Sequence, residues 1–135
     1  MSNQGTQEVR IAAESDIVAA RNFVRQAATM VGFGLTDVTR IVTAASELAR
    51  NAFRYAGGGV MRCHGLDANG KTGIELTFED HGPGIADIEQ AMQEGYTTSG
   101  GLGLGLPGTK RLMDEMEIRS EVGKGTAVTV RKWRA

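Results

Sequence analysis

Apolar and polar residues alternate over residues 72–79. Successive side chains of a strand point to opposite faces, so Ile74, Leu76 and Phe78 are predicted to share one buried face. Asp80 follows in the same register, and its carboxylate is therefore directed toward the buried side. Burying an unpaired carboxylate costs several kcal/mol, so hydrogen-bond donors are expected beside it. The alternative interpretation is an ordinary β-turn with a solvated aspartate.

The first half of the chain has its apolar residues at helical spacing. The pattern predicts a helix that Ser15 caps and that runs to about Val31, and a second helix that Thr36 caps and that runs to about Tyr55. The glycines of residues 32–34 separate the two. Further strands are predicted at residues 9–13, 60–65, 117–122 and 126–133, and further helices at about 86–93 and 103–115.

Helices against a mixed β-sheet make the expected fold an α/β two-layer sandwich. At 135 residues, the chain is long enough for one substantial core and too short for two domains. We therefore expect a single domain over residues 1–135, with residues 1–8 as a loose tail. Residues 67–70, with the letters DANG, have the chemistry of a hairpin turn between two of the strands.

Composition argues against several classes of partner. The net charge is −1, which provides no general basic surface for nucleic acid. No stretch approaches the roughly 20 apolar residues of a membrane span, and the N-terminus is polar, so we expect a cytoplasmic protein that contacts neither nucleic acid nor membrane. Cys63 is the one cysteine, which excludes an internal disulfide, and its alternation with Met61 predicts core packing.

A polar side of the second predicted helix is the first candidate site. Glu47 and Asn51 are four residues apart and project from the same side of the helix. Arg40 and Arg54 lie near that side. A polar row of this kind is usually a solvated face, and this remains the alternative when the helix is considered alone.

The second candidate site is rich in glycine. Gly82 and Gly84 follow Asp80 directly, and another group of glycines lies between residues 100 and 108. Glycine lets the backbone turn sharply or approach a ligand closely. The chain is therefore expected to bend tightly, or to meet a ligand, just after the alternating strand.

Two phosphate-binding motifs match by letters alone. Residues 65–72 fit G-x-x-x-x-G-K-[ST], but a P-loop requires a helix after Thr72, where a strand is predicted. Residues 103–108 fit G-x-G-x-x-G, but no strand is predicted before them. Both interpretations are rejected. The amides of the second loop and the helix N-terminus after it still suit an anion, and Pro107 suits the first helical turn.

Four segments resemble, in order and spacing, the motif boxes of a known superfamily. They are ELARNA at 47–52, EDHGPGI at 79–85, GGLGLGL at 100–106 and GKGT at 123–126. These resemble the N, G1, G2 and G3 boxes of the Bergerat ATP-binding fold, which histidine kinases, Hsp90, MutL and type II topoisomerases share. The short single-domain form is similar to the anti-sigma-factor serine kinases. Residues 95–101 and 107–115 look most like the switch kinases of the stressosome.

The resemblance implies a site for ATP and Mg²⁺. Asp80 would accept the adenine amino group, assisted by Thr126. Asn51 would bind Mg²⁺, Glu47 would take the proton from the attacking hydroxyl, and Arg54 would touch phosphate. The residues implied to enclose the nucleotide are Gly82, Gly84, Ile85, Gly101, Leu102, Gly103, Leu104 and Gly105. Residues 94–101 would form a small lid that becomes ordered with nucleotide.

The size of the chain selects a branch of the superfamily. Histidine kinases need a phosphoacceptor helix pair, and the topoisomerase, MutL and Hsp90 ATPases need a second domain; a stand-alone domain would act on another protein. The resemblance then implies a serine/threonine kinase for STAS-domain regulators, with a PP2C-type phosphatase as second partner. The alternative is an anti-sigma factor that sequesters a sigma factor. A pseudokinase scaffold is disfavoured because Glu47 and Asn51 are both present. Residues 99–101 depart from related anti-sigma kinases, which carry an arginine before these glycines.

Overall fold

The computed structural model describes residues 6–85, 92 and 105–134. Its elements, in chain order, are β1 (Gln7–Ile11), α1 (Glu14–Val31), α2 (Leu35–Ala56), β2 (Gly59–Ala68), β3 (Lys71–Asp80), α3 (Gly105–Leu112), β4 (Glu115–Glu121) and β5 (Gly125–Trp133). Each lies within three residues of its predicted bounds. β1 begins at Gln7, so the last two residues of the expected tail belong to the sheet. None of these helices has the length and apolar character needed to span a membrane.

The strands form one sheet in the order β1-β2-β3-β5-β4, and helices cover one of its faces. The predicted fold class is confirmed. The expectation of a mixed sheet was wrong, however, because every pairing among the described strands is antiparallel. β3 and β4 do run in the same direction, but they do not pair. The short β4–β5 connection turns β5 back between them, which makes β5 antiparallel to both.

Helix α1 begins before its predicted cap. It starts at Glu14 with Ala13 in the N-cap position, so Ser15 is not the cap. The capping acceptor is Asp16, whose Oδ2 accepts hydrogen bonds from the amides of Ala12 at 2.8 Å and Ala13 at 2.9 Å. A carboxylate in the first turn satisfies amides that the helix leaves unpaired, and it also complements the positive end of the helix dipole.

Helix α2 also begins before its predicted cap, whereas its end lies close to the predicted one. It begins at Leu35 with Gly34 as N-cap, so the predicted cap Thr36 lies inside the first turn. After the helices, Gly32 and Gly57 adopt left-handed conformations with φ of +107° and +77°, and their amides donate to carbonyls of the last turns. Glycine adopts this conformation without strain, which explains why both helices end there.

The β2–β3 hairpin has the turn that its letters predict. Ala68 pairs with Lys71, and the two residues between them, Asn69 and Gly70, have φ of +56° and +77°. Positive φ at both central residues is what a type I′ turn requires, and this turn matches the twist of the strands. Residues 65–72 therefore lie in a hairpin with no helix after them, which confirms the rejection of the P-loop.

The core lies between the inner face of the sheet and helices α1 and α2. Ile74, Leu76 and Phe78 of β3 are buried in it, as predicted. Cys63 of β2 is also a core residue, and its burial raises the pKa of the thiol to about 11. The assignment of this cysteine to packing is therefore confirmed.

The opposite face of the sheet is lined by charged side chains. Arg131 of β5 contacts the carboxylates of Glu117 at 2.9 Å, Glu75 at 2.6 Å and Glu115 at 3.1 Å. These hydrogen bonds, the one to Glu117 most, raise the pKa of the guanidinium. An antiparallel sheet commonly faces water on one side, and this polar surface is that side.

Candidate functional site

Three polar residues lie side by side where β3 ends. Asp80 on β3 pairs with Thr126 on β5, and Thr126 pairs with Ser120 on β4. Side chains of one such row project to the same face of the sheet. Thr126 alternates in step with the buried Val128, so that face is the one that packs on the helices. The register of the sheet thus brings Asp80 and Thr126 together, as the resemblance implied.

The Asp80 carboxylate is held by two backbone amides. Its Oδ1 accepts hydrogen bonds from the amide of Gly82 at 2.9 Å and from the amide of Thr126 at 3.2 Å. The expectation of donors beside this half-buried carboxylate is confirmed. Within residues 6–85, 92 and 105–134, nothing donates a hydrogen bond to Oδ2. This oxygen is an acceptor that a ligand can use.

Ser120 is a site residue that the sequence analysis missed. Its Oγ lies 2.7 Å from the amide nitrogen of Ile85, 2.8 Å from Oγ1 of Thr126 and 3.1 Å from the carbonyl oxygen of Gly125. The hydroxyl therefore joins the turn after β3 to both β4 and β5. The sequence did contain a signal for it. Ser120 lies two residues after the apolar Ile118 on β4, so the two side chains share one face of the strand. Ser120 therefore ends an apolar strand face with a polar side chain, as Asp80 does.

Gly82 and Gly84 are packed against other parts of the chain. A Cβ added to Gly82 would lie 2.5 Å from the Cβ of Ala56, at the end of α2. Gly84 has a φ of +80°, and a Cβ there would lie 2.5 Å from the carbonyl oxygen of Glu121. Internal packing therefore already requires glycine at both positions. Space for a base and a ribose is not needed to explain them, and their nucleotide contacts stay a prediction.

Helix α2 places Glu47 and Asn51 one turn apart on one side, and both are partly buried. Oε2 of Glu47 forms an ion pair with Nη1 of Arg50 at 2.7 Å; 12% of the Glu47 side chain is exposed, against 37% of the Arg50 side chain. The sequence analysis did not consider Arg50, although an i, i+3 spacing of opposite charges on a helix indicates such a pair. Arg54 lies one turn after Asn51 and is exposed.

The end of α2 sets the position of these side chains relative to the Asp80 turn. Ala56, the last residue of α2, packs against Gly82 in that turn. With a rise of 1.5 Å per residue, Asn51 lies about 7.5 Å and Glu47 about 13.5 Å from Ala56 along the helix axis. The candidate site therefore extends from the Asp80 turn, past Asn51, to Glu47.

Helix α3 begins within the glycine-rich stretch of the sequence. Gly105 is its first residue, with a φ of +70°, and Pro107 lies in the first turn, as predicted. The Thr109 side chain is buried, and its Oγ1 donates a hydrogen bond to the Gly105 carbonyl at 2.9 Å. The predicted site residues Gly101, Leu102, Gly103 and Leu104, and the predicted lid at 94–101, lie outside the described residues.

A cleft of about 280 Å³ opens at this end of the sheet. Its lining includes Asp80, Ser120 and Thr126, together with their strand neighbours Glu79 and Arg119. Over the part of the chain that the structure describes, no group of three or more His, Cys, Asp or Glu side chains is arranged to hold a metal ion.

The chain belongs to the histidine kinase-like ATPase domain family, which matches residues 11–132. Among its members, the chain is 52% identical to the serine/threonine-protein kinase RsbT of Bacillus subtilis (strain 168) over 125 residues, which cover 93% of this chain and 94% of that protein. It is 34% identical to the anti-sigma F factor of Geobacillus sp. (strain WCH70) over 111 residues, which cover 73% of this chain and 71% of that protein. The resemblance drawn from the four motif boxes is thereby confirmed.

Solved structures share the fold. One is the crystal structure of the RsbU and RsbW domains of Rv1364c from Mycobacterium tuberculosis, with a TM-score of 0.66 at 20% identity; the match covers 99% of this chain and 34% of that one. Another is the mycobacterial sensor histidine kinase MprB, with a TM-score of 0.57 at 17% identity and coverage of 96% and 97%. At these identities the likeness establishes the fold.

Proposed function

We propose that this chain is an ATP-dependent serine/threonine-protein kinase that phosphorylates another protein. The observation that carries the proposal is the order of the site, with Asp80 and Thr126 at the sheet end and Asn51 and Glu47 following along α2. This order suits a nucleotide with its base at Asp80 and its terminal phosphate beside Glu47. The 52% identity to a serine/threonine-protein kinase, over nearly the whole chain, supports the same conclusion.

Asp80 is the proposed acceptor for the adenine amino group. Two amides already occupy Oδ1 and hold the carboxylate in one orientation, which leaves Oδ2 for the ligand. An acceptor that is oriented before binding loses little conformational freedom when the ligand arrives. Thr126 assists from the neighbouring strand, and the backbone of Gly82, Gly84 and Ile85 lines the base and the ribose.

Asn51 is the proposed Mg²⁺ ligand. Its side chain offers an amide oxygen on the same side of α2 as Glu47. Mg²⁺ prefers hard oxygen ligands and takes few of them from protein, so one amide oxygen completed by phosphate oxygens and water suits it. When bound, the ion neutralises charge on the phosphates. The other proposed phosphate contacts come from the loop residues Gly101, Leu102, Gly103, Leu104 and Gly105, and from Arg54.

Glu47 is the proposed general base. Its carboxylate accepts the proton of a substrate serine or threonine hydroxyl while the hydroxyl oxygen bonds to the γ-phosphorus and the bond from that phosphorus to ADP breaks. The ion pair with Arg50 holds the carboxylate in place before substrate binds. Most of the rate enhancement then comes from positioning and from charge stabilisation.

The proposed substrates are STAS-domain regulators of a bacterial stress-signalling partner switch in the cytoplasm, with a PP2C-type phosphatase as second partner. Charge supplies a physical reason for switching. A phosphate adds about −1.5 to −2 charges to the substrate residue. That residue would then lie beside Glu47 and the nucleotide phosphates, and repulsion would release the kinase to bind the phosphatase.

The test is phosphate transfer from Mg-ATP to a STAS-domain partner, followed by binding assays with that partner before and after phosphorylation. We expect incorporation on serine or threonine, loss of the complex afterwards, and capture of the freed kinase by the phosphatase. Absence of transfer, in a preparation that binds both Mg-ATP and the partner, would contradict the kinase assignment. Retained binding to the phosphorylated partner would contradict the switch alone.

An anti-sigma factor is the second candidate function. The 34% identity to an anti-sigma F factor favours it. Such a protein would bind a sigma factor and release it when an unphosphorylated antagonist binds. The same binding assay, with a sigma factor added, separates the two candidate functions. Tight binding to the sigma factor would support the anti-sigma assignment and contradict the switch-kinase assignment.

A further inference from the structure

The Ser120 hydroxyl has three polar neighbours, which are the Ile85 amide at 2.7 Å, the Thr126 hydroxyl at 2.8 Å and the Gly125 carbonyl at 3.1 Å. A serine hydroxyl can donate one hydrogen bond and accept two. The three neighbours therefore use its full hydrogen-bonding capacity. The hydroxyl therefore has no hydrogen bond left to offer a ligand, and an effect of Ser120 on the hydrogen bonding of a ligand must act through a neighbour.

The chemistry of the neighbours determines the direction of each hydrogen bond. The Ile85 amide can only donate, and the Gly125 carbonyl can only accept. Ser120 must therefore give its single proton to the Gly125 carbonyl. The remaining contact, between Ser120 and Thr126, then needs its proton from Thr126, because Ser120 has no second proton to give.

From this geometry we infer that Ser120 is a specificity-determining positioning residue, which holds the Thr126 hydroxyl with its proton turned away from the base site. The inference rests on the proposed function. Thr126 then presents only lone pairs to the ligand, as Oδ2 of Asp80 does on the neighbouring strand. Two acceptors side by side suit the amino group at position 6 of adenine and oppose the oxygen at position 6 of hypoxanthine or guanine.

Without Ser120, the Thr126 hydroxyl would be free to rotate. It could then donate a hydrogen bond to a 6-oxo group, and only one of the two acceptors that disfavour such a base would remain. Asp80 would still oppose the 6-oxo group, so discrimination should weaken without disappearing. This predicts a change in the ratio of two affinities, which a general loosening of the strand ends would not produce.

The experiment compares the binding of Mg-ATP and Mg-ITP, which differ at position 6 of the purine, to the wild type and to Ser120→Ala. We expect the ratio of the Kd for ITP to the Kd for ATP to fall about five- to tenfold, the value of the one hydrogen bond that Thr126 could then donate to ITP. The matched control is Thr129→Ala. This change removes a hydroxyl pair with Thr77, at 3.2 Å, from the outer face of the same strands, and it should leave the ratio unchanged.

A double-mutant cycle tests whether the effect of Ser120→Ala passes through the Thr126 hydroxyl. In a Thr126→Val background, which lacks the hydroxyl, the further change Ser120→Ala should no longer alter the ratio. An unchanged ratio in Ser120→Ala, or a change that persists in the Thr126→Val background, would overturn the inference while ATP binding stands. A wild-type chain that binds no ATP would overturn the proposed function itself.

Discussion

Thr126 donates its amide hydrogen to Oδ1 of Asp80 at 3.2 Å, although the two residues are 46 positions apart in the sequence. Together with the Gly82 amide, this contact orients the carboxylate at the edge of the cleft. Asp80 ends an apolar strand face and is half-buried, and these two hydrogen bonds satisfy its Oδ1. The arrangement makes Asp80 the first position at which the proposed nucleotide site can be tested.

Replacing Asp80 by asparagine should weaken Mg-ATP binding at least about tenfold, or 1.4 kcal/mol. Asparagine retains an oxygen for the two backbone amides, so the turn should survive. Its NH₂ group would then face the adenine amino group, and two donors would oppose each other. Titration calorimetry measures the effect. Lys71→Ala is the control: Lys71 matches the P-loop sequence pattern but lies in a hairpin, so this change should leave the affinity unaltered. Equal affinities of the Asp80 variant and the wild type would exclude Asp80 from the base site.

Replacing Glu47 by glutamine should lower the rate of phosphotransfer by roughly 10²- to 10⁴-fold while the affinity for Mg-ATP stays within a few-fold. The change removes a proton acceptor and little volume. The control is Asp37→Asn, because Asp37 also pairs with an arginine three residues on, Arg40 at 3.2 Å, but lies at the other end of α2. Near-normal turnover of Glu47→Gln would exclude Glu47 as the general base.

Replacing Gly82 by alanine should lower the free energy of unfolding by about 1–3 kcal/mol, because the added Cβ would overlap Ala56. Urea denaturation measures the loss. The second change Ala56→Gly removes the contacted methyl group, at a cost of up to about 1 kcal/mol by itself. The double variant should therefore be more stable than the sum of the two single changes. If the two effects were simply additive, packing against Ala56 would not be the reason for glycine at this position.

Stability should fall in alkaline solution because of Cys63. Burial raises the pKa of its thiol from 9.0 to about 11, so the folded state holds this proton more tightly than the unfolded state. The resulting stabilisation is complete below pH 9 and is lost as the pH rises through 11, by about 3 kcal/mol in total. Urea denaturation at several pH values should show this loss for the wild type relative to Cys63→Ala. Parallel pH profiles of the two proteins would contradict it.

Much of the fold and part of the candidate site could be predicted from local signals. Alternation along β3 placed Asp80 on the inner face, because the period of a strand depends only on neighbouring residues. Helical spacing placed Glu47 and Asn51 on one side of α2 for the same reason. The Asn69-Gly70 turn followed from the tolerance of these residues for positive φ. These features are properties of short segments, and a sequence contains all the information they need.

The remaining features depend on contacts between distant segments, which only the tertiary structure decided. β5 returns between β3 and β4, and this register sets Thr126 beside both Asp80 and Ser120. The packing of Ala56 on Gly82 likewise fixes how far Glu47 lies from the Asp80 turn. Local periodicity does not specify which strands become neighbours or in which register, because a hydrogen-bonded row is defined by the pairing of separate strands. The sequence by itself therefore determined which faces carry Asp80 and Glu47, whereas the direction of the Thr126 hydroxyl was decided by Ser120, a neighbour that only the folded sheet supplies.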